Sequence, residues 1–405
     1  VINRPMSEYT GLFGHTSNKA TIIDVEIEKS LITGDEIVGA LVGEHQDSTI
    51  VHADINGTIT GTSAVGGVIG TTSDSAVVQG LNSSAAVSGS RSIGGLIGSN
   101  SDNTKVDNAR ATGVVNGSED IGGLIGAQYT DSTVSESYAN STVSGSFAVG
   151  GLVGKNYGTV NETLSKGTVS GQNRVGGLVG YSVGDINNSY ARAPVDGNSS
   201  VGGLVGLNYA PVNHSYATGS VTGNESVGGL IGSNNHPVNR SYYDLTATGQ
   251  TDSTESVTGL TTDQMTGSAA ETNMTGLNFG NIWDTQPDGY PILAHQADDK
   301  SDQSGSAQVQ ISNISLTPQS VNSNSESTHQ LTFEAQNVSA DGNEDEFDIT
   351  FPDRVELISY SDVAIDEKSS GVEKVANTLE FSVNPSGGGS TQIAGELNVT
   401  LSVTT

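Results

Sequence analysis

The sequence predicts an all-β protein: a β-solenoid (parallel β-helix) of about nine coils with a cap, followed by an immunoglobulin-like β-sandwich. The first observation is a phrase, hydrophobic-Gly-Gly-Leu-hydrophobic-Gly, that returns every 26 to 29 residues, as in a stacked repeat array. The second is that the segments between copies are short, β-branched and bounded by Gly or Asn, which is typical of strands. The third is a change to longer alternating strands after Ala307. The last glycine of each phrase falls at Gly14, Gly43, Gly70, Gly98, Gly126, Gly154, Gly180, Gly206 and Gly232.

The repeat array occupies residues 1–245, and residues 201–223 are representative of one coil. Three short strands per coil are expected, each hydrogen-bonded to its equivalent in the next coil about 4.8 Å along the axis. Nine coils at that spacing would form a rod on the order of 40 Å long. Because the bore is narrow, we assign the columns of small aliphatic residues that contain Val212, Ala217 and Val221 to the core.

A column of tyrosines occupies one repeat position, and its members are Tyr138, Tyr190, Tyr216 and Tyr242. Earlier copies carry Asp54, Asn82 and Arg110 at this position, and a buried unpaired charge would be costly. The column is therefore expected to face outward, as an exposed contact stripe for sugars or for a neighbouring subunit. The alternative is that the rings lie on the coil surface and cover it.

Asparagines of Asn-x-Ser/Thr acceptor sequences form a second row, with members 26 residues apart. Such a row would lie along one outer face and is expected to carry a line of N-linked glycans. The alternative is an unmodified asparagine ladder. The predicted glycosylation sites are Asn161, Asn187, Asn213 and Asn239 in the row, and Asn56 and Asn140 elsewhere.

Three further segments follow the array. Residues 246–296 break the repeat and contain the only Trp of the chain, so we predict that they cap the open end of the solenoid. Residues 297–306 are polar and are predicted to be a linker. Residues 307–405 are predicted to form the immunoglobulin-like sandwich. Its strands are predicted at 309–316, 330–335, 347–351, 355–360, 379–383 and 397–403.

Composition limits the classes of partner. Acidic residues outnumber Lys and Arg by 45 to 15, which gives a formal charge of −30. Nucleic acid and anionic membranes are therefore poor partners, because both bind cationic surfaces. The acidic coat indicates a salt-loving microbe, and calcium capture is the alternative. The chain has no Cys, no apolar run of membrane-spanning length and no initial Met, so a processed form or a fragment is expected.

No catalytic pattern stands out in the sequence. His-Glu-x-x-His does not occur, and the loops before the Gly-Gly phrases do not place acids in neighbouring copies, which argues against a polysaccharide-cleaving β-helix. Asp341, Asn343 and Asp345 match the opening of a calcium loop, but Glu346 and Pro352 stand where that loop needs Gly and Glu. A solvated acidic hairpin is the alternative there. We predict no cofactor and no enzymatic activity.

The phrase Gly-Gly-Leu-Val-Gly, followed by Asn and then Ser-Tyr-Ala-Thr-Gly at residues 202–219, resembles the GLUG repeat. The end of the array is similar to the element that closes such arrays, at residues 241–244 and 258–265, Trp283 and residues 290–291. The likeness covers about residues 9–293, and copies one to three depart most from the phrase. It implies a secreted or surface protein of bacteria or archaea, adhesin-like, with no known catalytic residues to transfer. The C-terminal strands are similar in style to the immunoglobulin-like modules of haloarchaeal surface glycoproteins.

The sequence therefore predicts a non-catalytic extracellular protein of the cell surface, structural or adhesive, whose partners are other copies, surface proteins or glycans. The first phrase comes almost at once, and residues 1–8 are too few to form a substantial cap. The first coil is therefore expected to bind another copy head-to-tail and to form a filament. An upstream domain over this coil is the competing explanation. A carbohydrate-binding module that uses the tyrosine column and a polysaccharide-degrading β-helix enzyme are the alternative functions.

Overall fold

The computed structural model describes residues 1–4, 6–251 and 257–296 in full, and the backbone of Ala297 and of seven strands between residues 310 and 403. The chain divides into two compact units, Val1–Asp298 and Asp299–Thr405. Among the described residues, no helix combines the length and the apolar character that crossing a bilayer requires.

The first unit contains a parallel β-solenoid of nine coils, as the sequence predicts. Each coil gives one strand to a first sheet, one to a second sheet and the rest to a third sheet, and equivalent strands pair in parallel. The Gly-Gly-Leu phrase turns the corner between the first two sheets, for example between Ser199–Gly202 and Val205–Asn208. In the five coils between Arg91 and Thr222 the third sheet contains three strands per coil, so each of these coils has five strands and not the expected three.

The strands of the solenoid fall into the following sets. The first sheet contains Tyr9–Thr10, Ile37–Gly39, Ser63–Gly66, Arg91–Gly94, Glu119–Gly122, Phe147–Gly150, Asn173–Gly176, Ser199–Gly202 and Glu225–Gly228. The second sheet contains Phe13–Thr16, Val42–Gln46, Ile69–Ser73, Ile97–Asn100, Ile125–Gln128, Val153–Asn156, Val179–Ser182, Val205–Asn208 and Ile231–Asn234. The third sheet contains Ile2–Asn3, Thr21–Thr33, Thr49–Thr60, Val77–Ser83, Ala86–Ser88, Lys105–Asp107, Arg110–Ala111, Val114–Asn116, Thr133–Ser135, Tyr138–Ala139, Thr142–Ser144, Thr159–Asn161, Leu164–Ser165, Val169–Ser170, Ile186–Asn187, Tyr190–Ala191, Val195–Asp196, Val212–Asn213, Tyr216–Ala217, Val221–Thr222, Val238–Asn239, Tyr242–Asp244 and Thr258–Leu260.

The core lies inside the coils. Val212, Ala217 and Val221 are buried there, which confirms their prediction as core residues. Leu204 of the Gly-Gly-Leu phrase is also buried, and its backbone N–H donates to the carbonyl of the equivalent leucine in the next coil. A Cβ on Gly203 would lie 2.2 Å from the carbonyl oxygen of Gly229, so adjacent coils approach too closely for any larger residue.

The corners of the coil explain the extra strands. One corner of the third sheet holds a residue with left-handed backbone, such as His214 with φ of 51° or Arg240 with φ of 48°. The second residue of many first-sheet strands is also left-handed, as in Arg174 with φ of 57°. Such backbone costs about 1–2 kcal/mol in a residue other than glycine. Hydrogen bonds between coils hold these residues in the left-handed conformation. Each left-handed residue interrupts the sheet at a defined point.

Residues 245–297 leave the repeat. Thr258–Leu260 pairs with Tyr242–Asp244 and adds a final strand to the third sheet. The antiparallel pair Trp283–Gln286 and Gly289–Leu293 packs on the outer face of that sheet. The helices are Leu245–Thr248, Thr262–Met265, Ala269–Asn273 and Ala294–Ala297. The role of this segment as an end cap stays a prediction.

The second unit consists of antiparallel strands in two sheets. The four-stranded sheet has the order Gln310–Thr317, Glu326–Ser339, Ser390–Val403 and Val355–Ile365. The three-stranded sheet has the order Asp345–Thr350, Thr378–Val383 and Ser370–Val375. Each of the six predicted strands overlaps one of these, and Ser370–Val375 is the strand that the sequence pattern missed. The immunoglobulin-like sandwich itself stays a prediction.

Candidate functional site

The tyrosine column faces outward from the solenoid but is not exposed. Tyr190 and Tyr216 are 1% and 0% exposed, Tyr242 is also buried, and Tyr138 is half-buried. The prediction of an exposed contact stripe is therefore wrong for the first three of these residues. The physical reason is that elements from residues 258–297 lie against the column and cover it.

Trp283 is the centre of this contact. The rings of Tyr190 and Tyr216 stack with centroids 5.0 Å apart, and the Trp283 ring lies 5.9 and 5.4 Å from them. The Tyr190 hydroxyl donates to Gln296 Oε1 at 3.0 Å, and the Tyr216 hydroxyl donates to the carbonyl oxygen of Pro291. In the late coils the column is therefore an internal packing surface.

Arg192 holds the same segment from beside the column. Its Nη2 donates to the carbonyl oxygens of Tyr290 and Pro291, at 3.2 Å in each case. Its guanidinium carbon also lies 5.0 Å from the centre of the Tyr190 ring. The guanidinium thus binds backbone and aromatic groups that are distant in sequence, and no local pattern could have revealed this.

In the early coils the same repeat position lines an open groove. A cavity of about 590 Å³ is bordered there by Glu26, Asp54, Asn82, Arg110 and Tyr138. Glu26 pairs in register with Asp54, whose Oδ1 accepts a hydrogen bond from Asn82 Nδ2 at 2.7 Å. Two carboxylates therefore lie on adjacent coils. Both residues lie in strands of the third sheet, so their pairing could not be expected from the loops before the Gly-Gly phrases.

The asparagine row is a ladder of amide hydrogen bonds. Asn213 Nδ2 donates to Asn187 Oδ1 at 2.8 Å, and Asn239 Nδ2 donates to Asn213 Oδ1 at 2.9 Å. The acceptor-sequence hydroxyls point inward: Ser215 is buried, and its Oγ accepts from the backbone N–H of Ser189 at 3.1 Å. This geometry matches the alternative of an asparagine ladder. A glycan attached to Nδ2 would replace one of the two hydrogens of that amide. In the ladder, one of these hydrogens is donated to the neighbouring asparagine.

The remaining predicted acceptors have other surroundings. Asn161 Oδ1 accepts from Asn188 Nδ2 at 3.3 Å, and its own Nδ2 donates to Glu162 Oε1 at 2.9 Å. Asn56 and Asn140 are exposed on the surface of the solenoid. Glycosylation at all six positions stays a prediction, which the intact mass of the protein would test.

A second aromatic column, on the outer side of the second sheet, is accessible. We call Tyr129, Tyr157, Tyr181 and Tyr209 the outer tyrosine ladder. Tyr129 and Tyr209 are 40% and 48% exposed, and the other two are half-buried. Consecutive ring centroids are 6.1 Å apart in all three pairs. Sequence comparison missed this ladder because Tyr181 lies two residues earlier in its coil than the others do.

Cationic side chains flank the outer tyrosine ladder. The Arg174 guanidinium lies 4.2 Å from the centre of the Phe147 ring and 4.9 Å from that of Tyr181. Lys155 Nζ lies 4.0 Å from Asp120 Oδ2. Burial raises the pKa of Asp120, while the charge of Lys155 opposes that shift. Burial likewise raises the pKa of the Tyr181 hydroxyl, so this ring stays neutral at physiological pH.

The calcium candidates fall outside what the structure can address. Asp341 and Asn343 lie outside the described residues, and only the backbone of Asp345 is described, within Asp345–Thr350. Elsewhere, the fully described part of the chain contains no group of three or more His, Asp or Glu that could hold a metal ion. Calcium binding at 341–345 stays a prediction.

Comparison with protein families gives one match. Residues 197–222 match the family Glug, described as "The GLUG motif". The matched segment is about one coil, and its phrase recurs in the other coils, so the match and the nine-coil stack support a GLUG-repeat protein. No curated protein and no solved structure matches the chain.

Proposed function

We propose that this chain is a non-catalytic extracellular protein of the cell surface, with a structural or adhesive role. The GLUG motif and the β-solenoid fit a non-enzymatic surface or structural protein. The observation that carries the proposal is the continuous register of nine coils, which repeats the same outward columns along one axis. Weak contacts made by successive coils would then add up to firm attachment.

The surface location is tested by labelling intact cells of the source organism with an antibody against the chain. We expect labelling without lysis, and loss of the label after brief treatment of intact cells with an external protease. Label that appears only after lysis would contradict the proposal. The intact mass of protein recovered from the cells, compared with 41.3 kDa for the unmodified chain, reports whether glycans are attached.

Head-to-tail contact between copies is part of the same proposal. The first coil exposes Leu12 and Phe13, at 57% and 45%, and one edge of its strands in the first and second sheets is unpaired. At the other end, Glu225–Gly228 and Ile231–Asn234 have no outer partner among the described residues. Free edges of the same two sheets at opposite ends support a parallel continuation from copy to copy, which would not close on itself.

Gly14 offers a sharp test of the filament. In later coils a Cβ at this repeat position would meet the preceding coil, as at Gly206, where it would lie 2.6 Å from the backbone carbon of Arg174. At Gly14 the nearest described atom is the Tyr9 carbonyl oxygen, 3.7 Å away. The Gly14→Ala variant should keep the monomer's Tm and prevent the filaments that wild type forms in electron micrographs at high protein concentration. Wild-type protein that remains short rods, or a variant that still polymerises, would contradict the proposal.

A second candidate function is glycan cleavage in the groove of the early coils. The observation in its favour is the pair Glu26 and Asp54 on adjacent coils, beside a cavity of about 590 Å³. Paired carboxylates are the groups that glycoside hydrolysis uses. A reducing-end assay over a glycan panel tests it, with wild type and Asp54→Asn compared. Release of reducing ends by wild type only would favour an enzyme, and no release would favour the non-catalytic role.

A further inference from the structure

The outer tyrosine ladder differs from the other columns because no described segment covers it. The tyrosines at 190 and 216 are buried under residues 258–297, whereas the end members of the ladder, Tyr129 and Tyr209, are 40% and 48% exposed. Half-exposed aromatic rings in a row form a surface with apolar faces and polar hydroxyl ends. Such a surface is suited to bind a ligand that has both apolar and polar groups.

We propose that the outer tyrosine ladder, together with Arg174, binds a linear polysaccharide that carries carboxylate groups. This inference rests on the proposed surface role and names the class of partner. A sugar ring has an apolar face of C–H groups and a rim of hydroxyls, which matches a tyrosine ring and its hydroxyl. The binding surface extends over four coils along the solenoid axis, so it suits a chain-like ligand better than a compact one.

The geometry of the rings supports contact with several successive sugars. The rings of Tyr129 and Tyr157 are parallel within 2°, whereas Tyr181 is turned by 80° from Tyr157 and by 73° from Tyr209. Lys155 Nζ lies 5.2 Å from the centre of the Tyr157 ring and the Arg174 guanidinium lies 4.9 Å from that of Tyr181, so one face of each of these rings is covered. The rings and the two cations therefore form one row whose ring orientation changes from coil to coil. A flexible chain of sugars can meet these in turn, since each glycosidic linkage allows rotation.

The charge beside the outer tyrosine ladder differs from the net charge of the chain. The chain has a formal charge of −30, so an anionic polymer is repelled by most of its surface. Arg174 is an exception: it stacks on Phe147 and Tyr181, and in the fully described part of the chain it forms no ion pair within 4.0 Å. Its nearest acidic influence is the buried carboxyl of Asp120, on which its charge acts from a greater distance. A guanidinium stacked by its face keeps its N–H edge free for two hydrogen bonds to a carboxylate. Lys155 is a second cation beside the ladder, but its Nζ also lies 4.0 Å from Asp120 Oδ2, so the proposal depends mainly on Arg174.

The experiment measures binding of the full chain to oligogalacturonate and to a neutral β-glucan of equal length, by isothermal titration calorimetry. We expect tighter binding of oligogalacturonate, and about tenfold weaker binding by Arg174→Gln, because one charge-assisted contact is lost. Arg240→Gln is the matched control. Arg240 is exposed and has φ of 48° against 57° for Arg174, so both variants change the same charge in the same backbone conformation.

The aromatic part of the proposal is tested at Tyr209. Tyr209→Ala should weaken oligogalacturonate binding, Tyr209→Phe should retain it, and equal melting temperatures should show that both variants fold. Absence of oligogalacturonate binding by wild type, or equal binding by Arg174→Gln and Arg240→Gln, overturns the inference. Loss of self-association in Arg174→Gln, seen by sedimentation with no change in sugar binding, also overturns it and indicates a protein partner. Antibody labelling of intact cells is independent of these results, so failure of the surface role is distinguished from failure of this site.

Discussion

A buried histidine shows how the coil interior controls a single residue. His45 is fully buried, in a column that holds Asn100, Asn156 and Asn208 in other coils, and its Nδ1 lies 2.8 Å from Thr16 Oγ1. Burial lowers the pKa of His45 to about 4, whereas a histidine in an unfolded chain titrates near 6.5. The unfolded chain therefore takes up this proton first when the solution is acidified. The folded state loses stability as pH falls from about 6.5 to about 4, by roughly 3 kcal/mol in total.

The His45→Asn variant tests this pH dependence. Asparagine is the residue that several other coils hold at this position, and it does not titrate. We expect the free energy of unfolding by urea to fall less between pH 7 and pH 4.5 in this variant than in wild type. His52→Asn, at an exposed position, is the control and should keep the wild-type pH slope. Equal slopes for wild type and His45→Asn would show that His45 does not carry the effect.

Close backbone contact makes Gly206 a second sensitive residue. A Cβ there would lie 2.6 Å from the Gly180 carbonyl oxygen, and the backbone of a stacked coil cannot move aside without disturbing its neighbours. Gly206→Ala should lower the free energy of unfolding by about 2–3 kcal/mol. Gly14→Ala, at the same repeat position without a preceding coil, should leave it nearly unchanged in dilute monomer. Similar losses in both variants would mean that backbone contact between coils is not the cause.

Predictability at the residue scale depends on where the neighbours of a residue lie in the sequence. The core position of Val212 could be predicted because its neighbours in the adjacent coils, Ile186 and Val238, are also β-branched aliphatic residues. The burial of Tyr190 could not, because its covering groups, Trp283 and Gln296, are about a hundred residues away. The charged residues Asp54 and Arg110 indicate that the column lies outside the coil, but they carry no information about a later segment that folds over it.

At the scale of elements, residues 258–297 are attached by side-chain packing more than by strand pairing. One strand, Thr258–Leu260, joins the third sheet, while Trp283 fills the contact with the tyrosine column. Trp283→Ala should therefore weaken the attachment of this segment to the solenoid by about 3–5 kcal/mol of free energy. The core inside the coils contains no part of Trp283, so the solenoid should remain folded.

Hydrogen exchange with mass spectrometry measures this separation. We expect faster exchange across residues 258–297 in Trp283→Ala, with unchanged protection in the second-sheet strands. Asn281→Ala, an exposed neighbour in the same loop, is the matched control and should exchange like wild type. If the whole solenoid lost protection in Trp283→Ala, the segment and the coils would form one cooperative unit.

The elements themselves were predicted to different degrees. The nine-coil stack followed from the Gly-Gly-Leu phrase because each copy imposes the same corner on the chain. The predicted number of strands per coil was wrong because left-handed residues such as His214 interrupt the third sheet. These residues are not glycines, so the interruption could not be recognised in the sequence. The outer tyrosine ladder was missed for a similar reason: its rings align in space while Tyr181 is displaced by two residues in sequence.

At the scale of the whole molecule, the charge of −30 affects stability as well as partner choice. Repulsion among acidic side chains opposes the folded state, and it weakens when salt shortens the screening length from about 30 Å at 0.01 M to about 10 Å at 0.1 M. We therefore expect the Tm to rise with KCl between 0.01 and 0.5 M. Calcium capture, the alternative use of the acidic residues, predicts instead a rise at millimolar CaCl₂ that KCl of equal ionic strength does not reproduce. A Tm that follows ionic strength whichever cation is present would favour adaptation to salt. A Tm that responds to neither KCl nor CaCl₂ would show that the acidic side chains are too far apart to destabilise the fold.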